Sequence, residues 1–275
     1  MAARRAGVLG GRGVIRYARI FRSFVGAEIK NELAYRLNFV LGLVEMLLVV
    51  GTSLGAVLVL FTQAKNLNGW TLPEMIALTG VYYLVQGGVN LIFAPSFEKL
   101  MEYVRLGTLD FTLLKPASAQ FLASTRHISI VRISDSVLGF VVLGVGLIML
   151  GEAITPWAAF TFALTLACGV AAVYALLLTL VTLSFWFVRV DNILAIFWAF
   201  TDAGRFPIDL YPGWLRFTLA TIVPIGIAVT VPAEAISGRM SLETFAGMLA
   251  GTALSVTFAS WFWRRGLRSY TGASA

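Results

Sequence analysis

The chain is poor in charged residues, cysteine and histidine, and each shortage excludes a class of function. Only 13% of its 275 residues are charged, whereas 59% are hydrophobic. The mean hydropathy of +0.85 lies well outside the range of ordinary soluble domains. The single Cys168 cannot form an intrachain disulfide, and the single His127 cannot build a multi-histidine metal site. We therefore expect neither metal nor thiol catalysis.

A nucleotide-binding loop and a soluble domain are missing as well. The pattern G-x-x-x-x-G-K-[ST] occurs nowhere, so no Walker loop can hold phosphate in this chain. The longest polar segments are residues 1–36 and 96–129, which are too short for an independent catalytic domain. The sequence therefore predicts a single transmembrane domain over residues 1–275 and places any energy-converting module on another chain.

What the chain has in abundance is long apolar stretches. A bilayer core about 30 Å thick needs roughly 20 apolar residues per helix. The backbone must satisfy its own hydrogen bonds in lipid, so such stretches should be helices. The sequence therefore predicts an all-α polytopic membrane protein with six transmembrane helices, at residues 37–61, 73–95, 130–151, 157–187, 190–204 and 242–263.

The positions of the basic residues predict the orientation of these helices. All but four of the 21 basic residues lie in alternate gaps between the apolar stretches, and the exceptions are Lys65, Arg205, Arg216 and Arg239. Loops rich in lysine and arginine stay in the cytoplasm. We therefore expect a multi-pass protein of the cell (plasma or inner) membrane with both termini cytoplasmic. Basic residues in cytoplasmic loops, close to membrane lipid, explain the net charge of +7. We therefore expect no nucleic-acid partner.

Residues 14–33 have the pattern of an interfacial helix. Arg16, Arg19 and Lys30 share one face at helical spacing, and apolar side chains fill much of the remainder. Such a helix lies along the cytoplasmic surface, with its basic residues on anionic head groups. Two roles stay open for it: a passive anchor, or a helix that binds a partner.

The connection from 97 to 116 predicts a short amphipathic helix in the cytoplasm. Apolar and charged residues alternate there at near-helical intervals, and Gly107 is a suitable stop. Its apolar face must be covered, either by the protein's own spans or by a groove in a cytoplasmic partner. The candidate contact residues for a partner are Phe97, Glu98, Met101, Glu102, Arg105 and Asp110.

Residues 206–238 are apolar but interrupted by proline and glycine. The pattern predicts two short helices, at about 213–222 and 224–236, that enter the membrane from the outer side and return. An alternative division makes 217–236 a full seventh span. That division would place the C-terminal arginines outside the cell.

Few polar residues interrupt the spans, and each has a functional and a structural interpretation. Glu45 either faces a translocation path or pairs near the cytoplasmic boundary. Gln86 and Asn90, one helical turn apart, form either a polar stripe along the path or interhelical hydrogen bonds. Two further pairs predict local ion pairs, at the cytoplasmic mouth and at the outer end of the fifth span: Arg132 with Asp135, and Asp202 with Arg205.

Several short motifs, in this order, carry a family resemblance: Gly107-Thr108-Leu109-Asp110, Leu114-Lys115-Pro116, Ser118, Tyr211-Pro212, Trp214-Leu215, Pro224 and Val231-Pro232-Ala233. Over nearly its whole length the chain resembles a branch of the ABC-2 type ABC transporter permeases. The resemblance implies that residues 14–33 are the connecting helix and that the coupling helix lies between Phe97 and Pro116. It also implies that Tyr211 and Pro224 belong to a re-entrant outer gate.

The resemblance further implies how the work is divided between chains. This chain would hold no catalytic, cofactor or metal residue, because ATP and Mg would be bound by two copies of a separate ABC ATPase. A second permease subunit, identical or homologous, would complete the transporter. The implied function is a permease subunit of an exporter, which converts closure of the ATPases into outward transport of an amphipathic or lipid-linked substrate.

Two other functional classes compete with this interpretation. An ion-coupled secondary transporter would carry inverted repeats and paired carboxylates near the membrane middle, and neither is evident in the sequence. A membrane-embedded enzyme would need a convergent cluster of histidines and carboxylates, for which one histidine is a poor basis. A gene for a soluble ATPase beside this one would favour the transporter reading.

Overall fold

A computed structural model describes residues 11–34, 36–151, 153–187 and 191–270, and its regular elements there are helices. Short 3₁₀ turns and one π-helical turn, Thr218–Ile222, join the longer helices. The α-helices of the described residues are α1 Gly11–Ala34, α2 Arg36–Gln63, α3 Leu72–Ile92, α4 Ala94–Arg105, α5 Asp110–Leu113, α6 Ala119–Thr125, α7 Ile133–Leu150, α8 Pro156–Thr182, α9 Asp191–Asp202, α10 Gly213–Phe217, α11 Ile225–Ile236 and α12 Leu242–Leu267. The all-α polytopic fold predicted from the sequence is confirmed.

Five helices of the described residues are long and apolar enough to cross a bilayer. They are Phe39–Gln63, Leu72–Arg105, Ile130–Leu150, Pro156–Phe185 and Leu242–Leu267. A bent pair, α10 with its π-helical turn and α11, raises the number to six if it is one broken span. The predicted span at 190–204 corresponds to α9, whose 12 residues cover only about 18 Å. That length is well short of a bilayer core.

Helix α3 is the central helix of the bundle, and glycines allow α7 to approach it closely. A Cβ atom at Gly80 would lie 2.3 Å from the Leu143 nitrogen, and one at Gly146 would lie 2.5 Å from the Ala77 nitrogen. Gly87 and Gly139 occupy similar positions in the same seam. Small residues are the usual means by which membrane helices pack closely, since van der Waals contact replaces the hydrophobic effect there.

The second half of the chain packs around α8. A Cβ atom at Gly169 would lie 2.6 Å from the Ala228 carbonyl oxygen, so α8 and α11 also meet backbone to backbone. On its other side α8 packs against α12, and Thr252 donates a hydrogen bond to the Cys168 carbonyl oxygen at 3.4 Å. Helices α3, α8 and α11 thus share one continuous core with α7 and α12 at its sides.

Helix α1 is tied to the end of the 97–116 connection. The Ser118 backbone N–H donates to the Tyr17 hydroxyl at 3.2 Å, and the Tyr17 ring meets the Phe121 ring edge-on at 4.8 Å between centroids. Arg16 donates to the Pro116 carbonyl oxygen. The predicted interfacial helix at 14–33 therefore contacts the loop that was predicted to couple to a partner. Its place on the membrane surface stays a prediction.

The chain turns through 89° between Gly213–Ile222 and Ile225–Ile236. Pro224 precedes α11 at this corner. Proline is accepted at the start of a helix because the N–H groups there have no partner within the helix. Helices therefore lie at both ranges that the proline and glycine pattern indicated. Their entry into the membrane and return to the outer side stay predictions.

Candidate functional site

A polar cavity of ≈ 500 Å³ opens between α2, α3, α7 and α9. Its walls bring together residues that are far apart in sequence, including three of the five predicted path or gate residues. Its polar and charged lining residues are Glu45, Tyr82, Tyr83, Gln86, Asn90, Arg132, Asp135, Thr201, Asp202 and Arg205. In a bundle whose lipid-facing surface is apolar, this concentration of polar groups marks the cavity as the first candidate for a ligand path.

Both ion pairs predicted from sequence spacing are confirmed, and both line the cavity. Arg205 Nη2 lies 2.9 Å from Asp202 Oδ1. Arg132 Nη1 lies 3.7 Å from Asp135 Oδ2, which is a looser contact. That the two pairs share a single cavity was not evident from the sequence, because residues 135 and 202 are far apart in the chain.

The Asp202–Arg205 pair, at the end of α9, lies beside the middle of α3. Asp202 accepts a hydrogen bond from the Tyr82 hydroxyl at 3.2 Å, and Arg205 reaches the Ser53 hydroxyl at 3.5 Å. Tyr82 is ten residues from the start of α3 at Leu72, a rise of about 15 Å along the helix. The short helix α9 therefore ends about halfway along α3. That the pair marks the outer end of a span stays a prediction.

A hydrogen-bond network fixes the side chains of the cavity wall. Gln86 Nε2 donates to the Tyr82 hydroxyl at 3.1 Å, and that hydroxyl donates onward to Asp202. The Tyr83 hydroxyl lies 2.8 Å from the Ser53 hydroxyl and donates to the Val49 carbonyl oxygen at 3.3 Å. The network links α2 and α3 to the turn after α9, so a ligand would meet a preformed wall.

The predicted gate residues Tyr211 and Pro224 do not line the cavity. They lie around the 3₁₀ turn Ala203–Arg205, and this turn places Arg205 in the cavity wall. The Tyr211 hydroxyl donates to the Ala203 carbonyl oxygen at 2.8 Å. A Cβ atom at Gly204 would lie 2.7 Å from a side-chain carbon of Ile225, the residue that follows Pro224. Tyr211 therefore contacts this turn directly, and Pro224 precedes a residue that packs against it. Their role in a gate stays a prediction.

The connection after α3 is a second candidate site, and its structure corrects the list of contact residues. Phe97 is only 1% exposed and stacks on Tyr174 of α8, with 5.8 Å between ring centroids. A side chain in that position cannot touch a partner. Met101 is half-buried and packs against the same core. Glu98 and Arg105 are exposed, whereas Glu102 and Asp110 are half-buried, and Glu102 pairs with Lys99 at 2.8 Å.

Hydrogen bonds join the two ends of this connection to each other. Ser96 donates through its hydroxyl to the His127 carbonyl oxygen at 2.8 Å and accepts from the His127 N–H at 2.9 Å. The Tyr103 hydroxyl lies 3.1 Å from His127 Nε2. Burial, with the nearby charge of Arg126, lowers the pKa of His127, which favours the neutral imidazole as a hydrogen-bond partner. The Ser129 N–H donates to the Leu91 carbonyl oxygen at 2.9 Å, so the end of the connection is also tied to the last turn of α3.

Three large apolar side chains project from the far end of the connection. Leu106, Phe111 and Leu114 are 59%, 73% and 82% exposed. We refer to these three residues as the apolar tip. The sequence interpretation placed them inside the 97–116 segment but did not include them among the candidate contact residues, most of which it chose from the helical pattern before Gly107. The run Asp110-Phe111-Thr112-Leu113-Leu114 carries a readable signal, since apolar residues of a polar loop are either buried or offered to a partner.

The family model described as ABC-2 family transporter protein matches residues 47–274. The chain belongs to the ABC-2 transporter family. No curated protein and no solved structure matches it. An ABC-2 permease is the membrane component of a transporter and works in general with an ABC ATPase. The chain is accordingly a multi-pass membrane protein with a transport function.

The matched region of this ABC-2 permease contains most of both candidate sites. Residues 47–274 include the α3, α7 and α9 walls of the cavity, the apolar tip, and the bent pair α10–α11. Helix α1 and the first part of α2 precede the match, and Glu45 lies two residues before its start. The cavity carboxylate on α2 is thus a feature that only the structure connects to the rest of the site.

Proposed function

We propose that this chain is the permease subunit of an ABC exporter. Two copies of a separate ABC ATPase bind ATP and Mg, and their closure moves the apolar tip. The polar cavity then changes its access from the cytoplasmic to the outer side, so that an amphipathic or lipid-linked substrate leaves the cell. The observation that supports this most directly is the exposed apolar tip on a connection that follows α3, a helix that lines the cavity.

The transmission of movement from the tip to the cavity follows from chain continuity. Helix α4 begins two residues after α3 ends. The Ser96–His127 hydrogen bonds join α4 to the segment before α7, and the Ser129 N–H in that segment donates to the Leu91 carbonyl oxygen of α3 at 2.9 Å. Helix α3 carries Tyr82, Gln86 and Asn90 into the cavity. A force on the tip therefore acts on the wall that holds the Asp202–Arg205 pair.

The tip has the composition of a docking surface for a soluble partner. Apolar side chains at its centre are accompanied by exposed Arg105 and Lys115 at its rim. Desolvated apolar anchors with a polar rim carry most of the binding energy in protein interfaces. The absence of a Walker loop from the sequence agrees with nucleotide binding on that partner.

The remaining parts of the proposal follow the family. A second permease subunit, identical or homologous, completes the translocation path, and the assembly lies in the plasma or inner membrane with both termini of this chain in the cytoplasm. Support for that orientation comes from the basic residues, since Lys99, Arg105, Lys115 and Arg126 all lie in the connection that carries the tip.

The test is assembly with a candidate ABC ATPase from the same genome. We expect Leu114→Glu to weaken co-purification of the ATPase by about tenfold or more, because the substitution places a charge at the centre of an apolar contact. Leu242→Glu is the matched control: Leu242 is 79% exposed against 82% for Leu114, but it lies at the start of α12, far from the tip along the bundle. Equal loss in both variants would mean that the membrane fold, not docking, has failed.

The cavity also has a feature that favours a second function, ion-coupled secondary transport. Glu45, Asp135 and Asp202 face one cavity, and clustered carboxylates within a bundle are typical of ion-coupled secondary transporters. Transport by purified protein in liposomes distinguishes the two functions. Uptake that needs the ATPase and ATP supports the exporter, whereas uptake driven by a proton or sodium gradient without the ATPase would replace it with the secondary transporter.

A further inference from the structure

Helix α12 presents one continuous exposed face from its middle to its end. Leu254, Phe258, Trp261, Arg265 and Arg268 follow one another at intervals of three and four residues, so they lie on one side of the helix. All five side chains are exposed. Only 17% of the apolar stretch of α12 is buried, the smallest fraction among the five span-length helices of the described residues. This part of the chain therefore leaves the face uncovered.

The middle of this face belongs to an aromatic cluster. The Phe258 ring lies 5.8 Å from the Trp261 ring and 5.9 Å from the Phe262 ring, between centroids. The Phe262 ring in turn lies 5.3 Å from Trp186, in the turn after α8. Tryptophan is enriched where hydrocarbon meets the lipid head groups, because its ring is apolar and its N–H is polar. Trp186 and Trp261 are both exposed, so the cluster marks that boundary on α12.

Three arginines follow the aromatic cluster directly. Arg264, Arg265 and Arg268 are exposed, and within the described residues none of them forms an ion pair or a side-chain hydrogen bond. The acidic residue of α12 is Glu243, in its first turn, about 33 Å from Arg265 along the helix. These three positive charges are therefore available to an anion from outside the described chain.

The spacing along the face matches the dimensions of one lipid leaflet. Arg265 lies four residues beyond Trp261, a rise of about 6 Å, which places its guanidinium at the level of the head groups. Leu254 lies eleven residues before Arg265, a rise of about 16 Å, and half of a hydrocarbon core measures about 15 Å. Guanidinium groups bind phosphate through paired hydrogen bonds. The face therefore has the length and the chemistry to hold one anionic phospholipid.

Charge argues against a second copy of this chain as the occupant. A closed pair of identical subunits uses the same patch on both, and in a membrane the two copies share one orientation. Pairing through this face would bring Arg265 and Arg268 close to the same residues of the other copy. Like charges opposed across an interface are unfavourable, whereas an anionic lipid neutralises them.

We propose that the exposed face of α12 binds an anionic phospholipid, with its phosphate on the three arginines and its acyl chains along the aromatic cluster and Leu254. The occupant is a membrane lipid and not a soluble phosphate, because the arginines are continuous with an apolar surface that acyl chains cover. The site goes beyond the transport function proposed above and does not depend on it.

The probe is palmitoyl-oleoyl phosphatidylglycerol, and phosphatidylcholine with the same acyl chains is its zwitterionic counterpart. Each lipid is titrated into the full chain in a neutral detergent, and native mass spectrometry measures the affinity of the first bound molecule. We expect phosphatidylglycerol to bind about tenfold or more tightly than phosphatidylcholine. Arg265→Gln should weaken phosphatidylglycerol by about fivefold, the contribution of one basic residue near an anionic head group, and leave phosphatidylcholine unchanged.

Two further variants separate the site from a general effect of charge. Lys65→Gln is the matched control, because Lys65 is an exposed cation without an ion pair just after the end of α2 at Gln63. It should leave both affinities unchanged. Arg265→Lys keeps the charge and should retain most of the affinity for phosphatidylglycerol. Inorganic phosphate should not compete with the lipid. Circular dichroism and elution volume confirm the fold of each variant.

Equal affinities for the two lipids would overturn the proposal, as would an equal loss in Lys65→Gln and Arg265→Gln. If the arginines only stabilise the end of α12 through the helix dipole, Arg265→Gln will not change the preference between the lipids. Full competition by inorganic phosphate would assign the arginines to a soluble anion. Dimers that Arg265→Gln disrupts, with lipid binding unchanged, would assign the face to a second copy.

Discussion

At the scale of single residues, the loop before α3 is held by an arginine that the sequence marked only as an exception to the charge asymmetry. Arg239 Nη1 donates to both carboxylate oxygens of Glu74 at 3.1 Å and to the Gly69 carbonyl oxygen at 2.9 Å. Its guanidinium carbon lies 4.6 Å from the centroid of the Trp70 ring. Glu74 also closes the capping box at Thr71. One arginine thus joins the loop before α3 to the end of α11.

We expect Arg239→Met to lower the free energy of unfolding by about 1–3 kcal/mol, because it leaves a mostly buried carboxylate with fewer partners. Arg216→Met is the matched control. Arg216 pairs with Asp209 at 2.6 Å, but its side chain is 56% exposed, and exposed pairs contribute about 0–1 kcal/mol. Thermal unfolding of the two variants in the same detergent provides the comparison. An equal effect would show that burial of Glu74 adds nothing.

At the scale of elements, glycine positions decide which helix faces meet. The sequence shows small residues at Gly51, Gly55, Gly144 and Gly146 but does not say which of them lie in a contact within the chain. In the structure only Gly146 of these four faces a backbone at close range, and a Cβ at the other three would meet nothing within 4 Å. The seam between α3 and α7 is therefore specific to one face of α7.

Gly146→Ala and Gly144→Ala should consequently have opposite effects on stability. A methyl group at Gly146 would lie 2.5 Å from the Ala77 nitrogen and force α3 and α7 apart, which costs about 1–3 kcal/mol. At Gly144 the methyl group meets open space, so alanine should be neutral or stabilise the helix by up to about 1 kcal/mol. Unfolding in a mixed-micelle titration measures both. Loss of stability in Gly144→Ala would contradict the seam as described.

At the scale of the whole molecule, the apolar tip and the start of α12 should lie on opposite sides of the membrane. In a variant with Cys168→Ser, we expect a membrane-impermeant maleimide to label Leu242→Cys in intact cells. Leu114→Cys should be labelled only after the cells are opened, because basic loops remain cytoplasmic. Labelling of Leu114→Cys in intact cells would reverse the topology and remove the tip from reach of a cytoplasmic ATPase.

The order of elements was predictable because it depends on local composition. Length and hydropathy of the apolar runs indicate the five span-length helices, and proline and glycine indicate the break near Pro224. The predicted span at 190–204 corresponds to the shorter helix α9, and residues 188–190 just before it lie outside the described residues. Phe97 was expected to contact a partner but packs against Tyr174 of α8. Periodicity shows that an apolar helix face will be covered, but not which part of the chain covers it.

By itself the sequence determined an all-α polytopic membrane protein without a Walker loop, because hydropathy and a missing motif are properties of the chain read in order. The permease family followed from a resemblance carried by short motifs. Tertiary structure alone decided that Glu45, Gln86 and the Asp202–Arg205 pair face one cavity, and that Leu106, Phe111 and Leu114 form the exposed tip. Those relations depend on the packing of helices distant in sequence. Packing is set by close contacts such as the glycine seam, which no local pattern records.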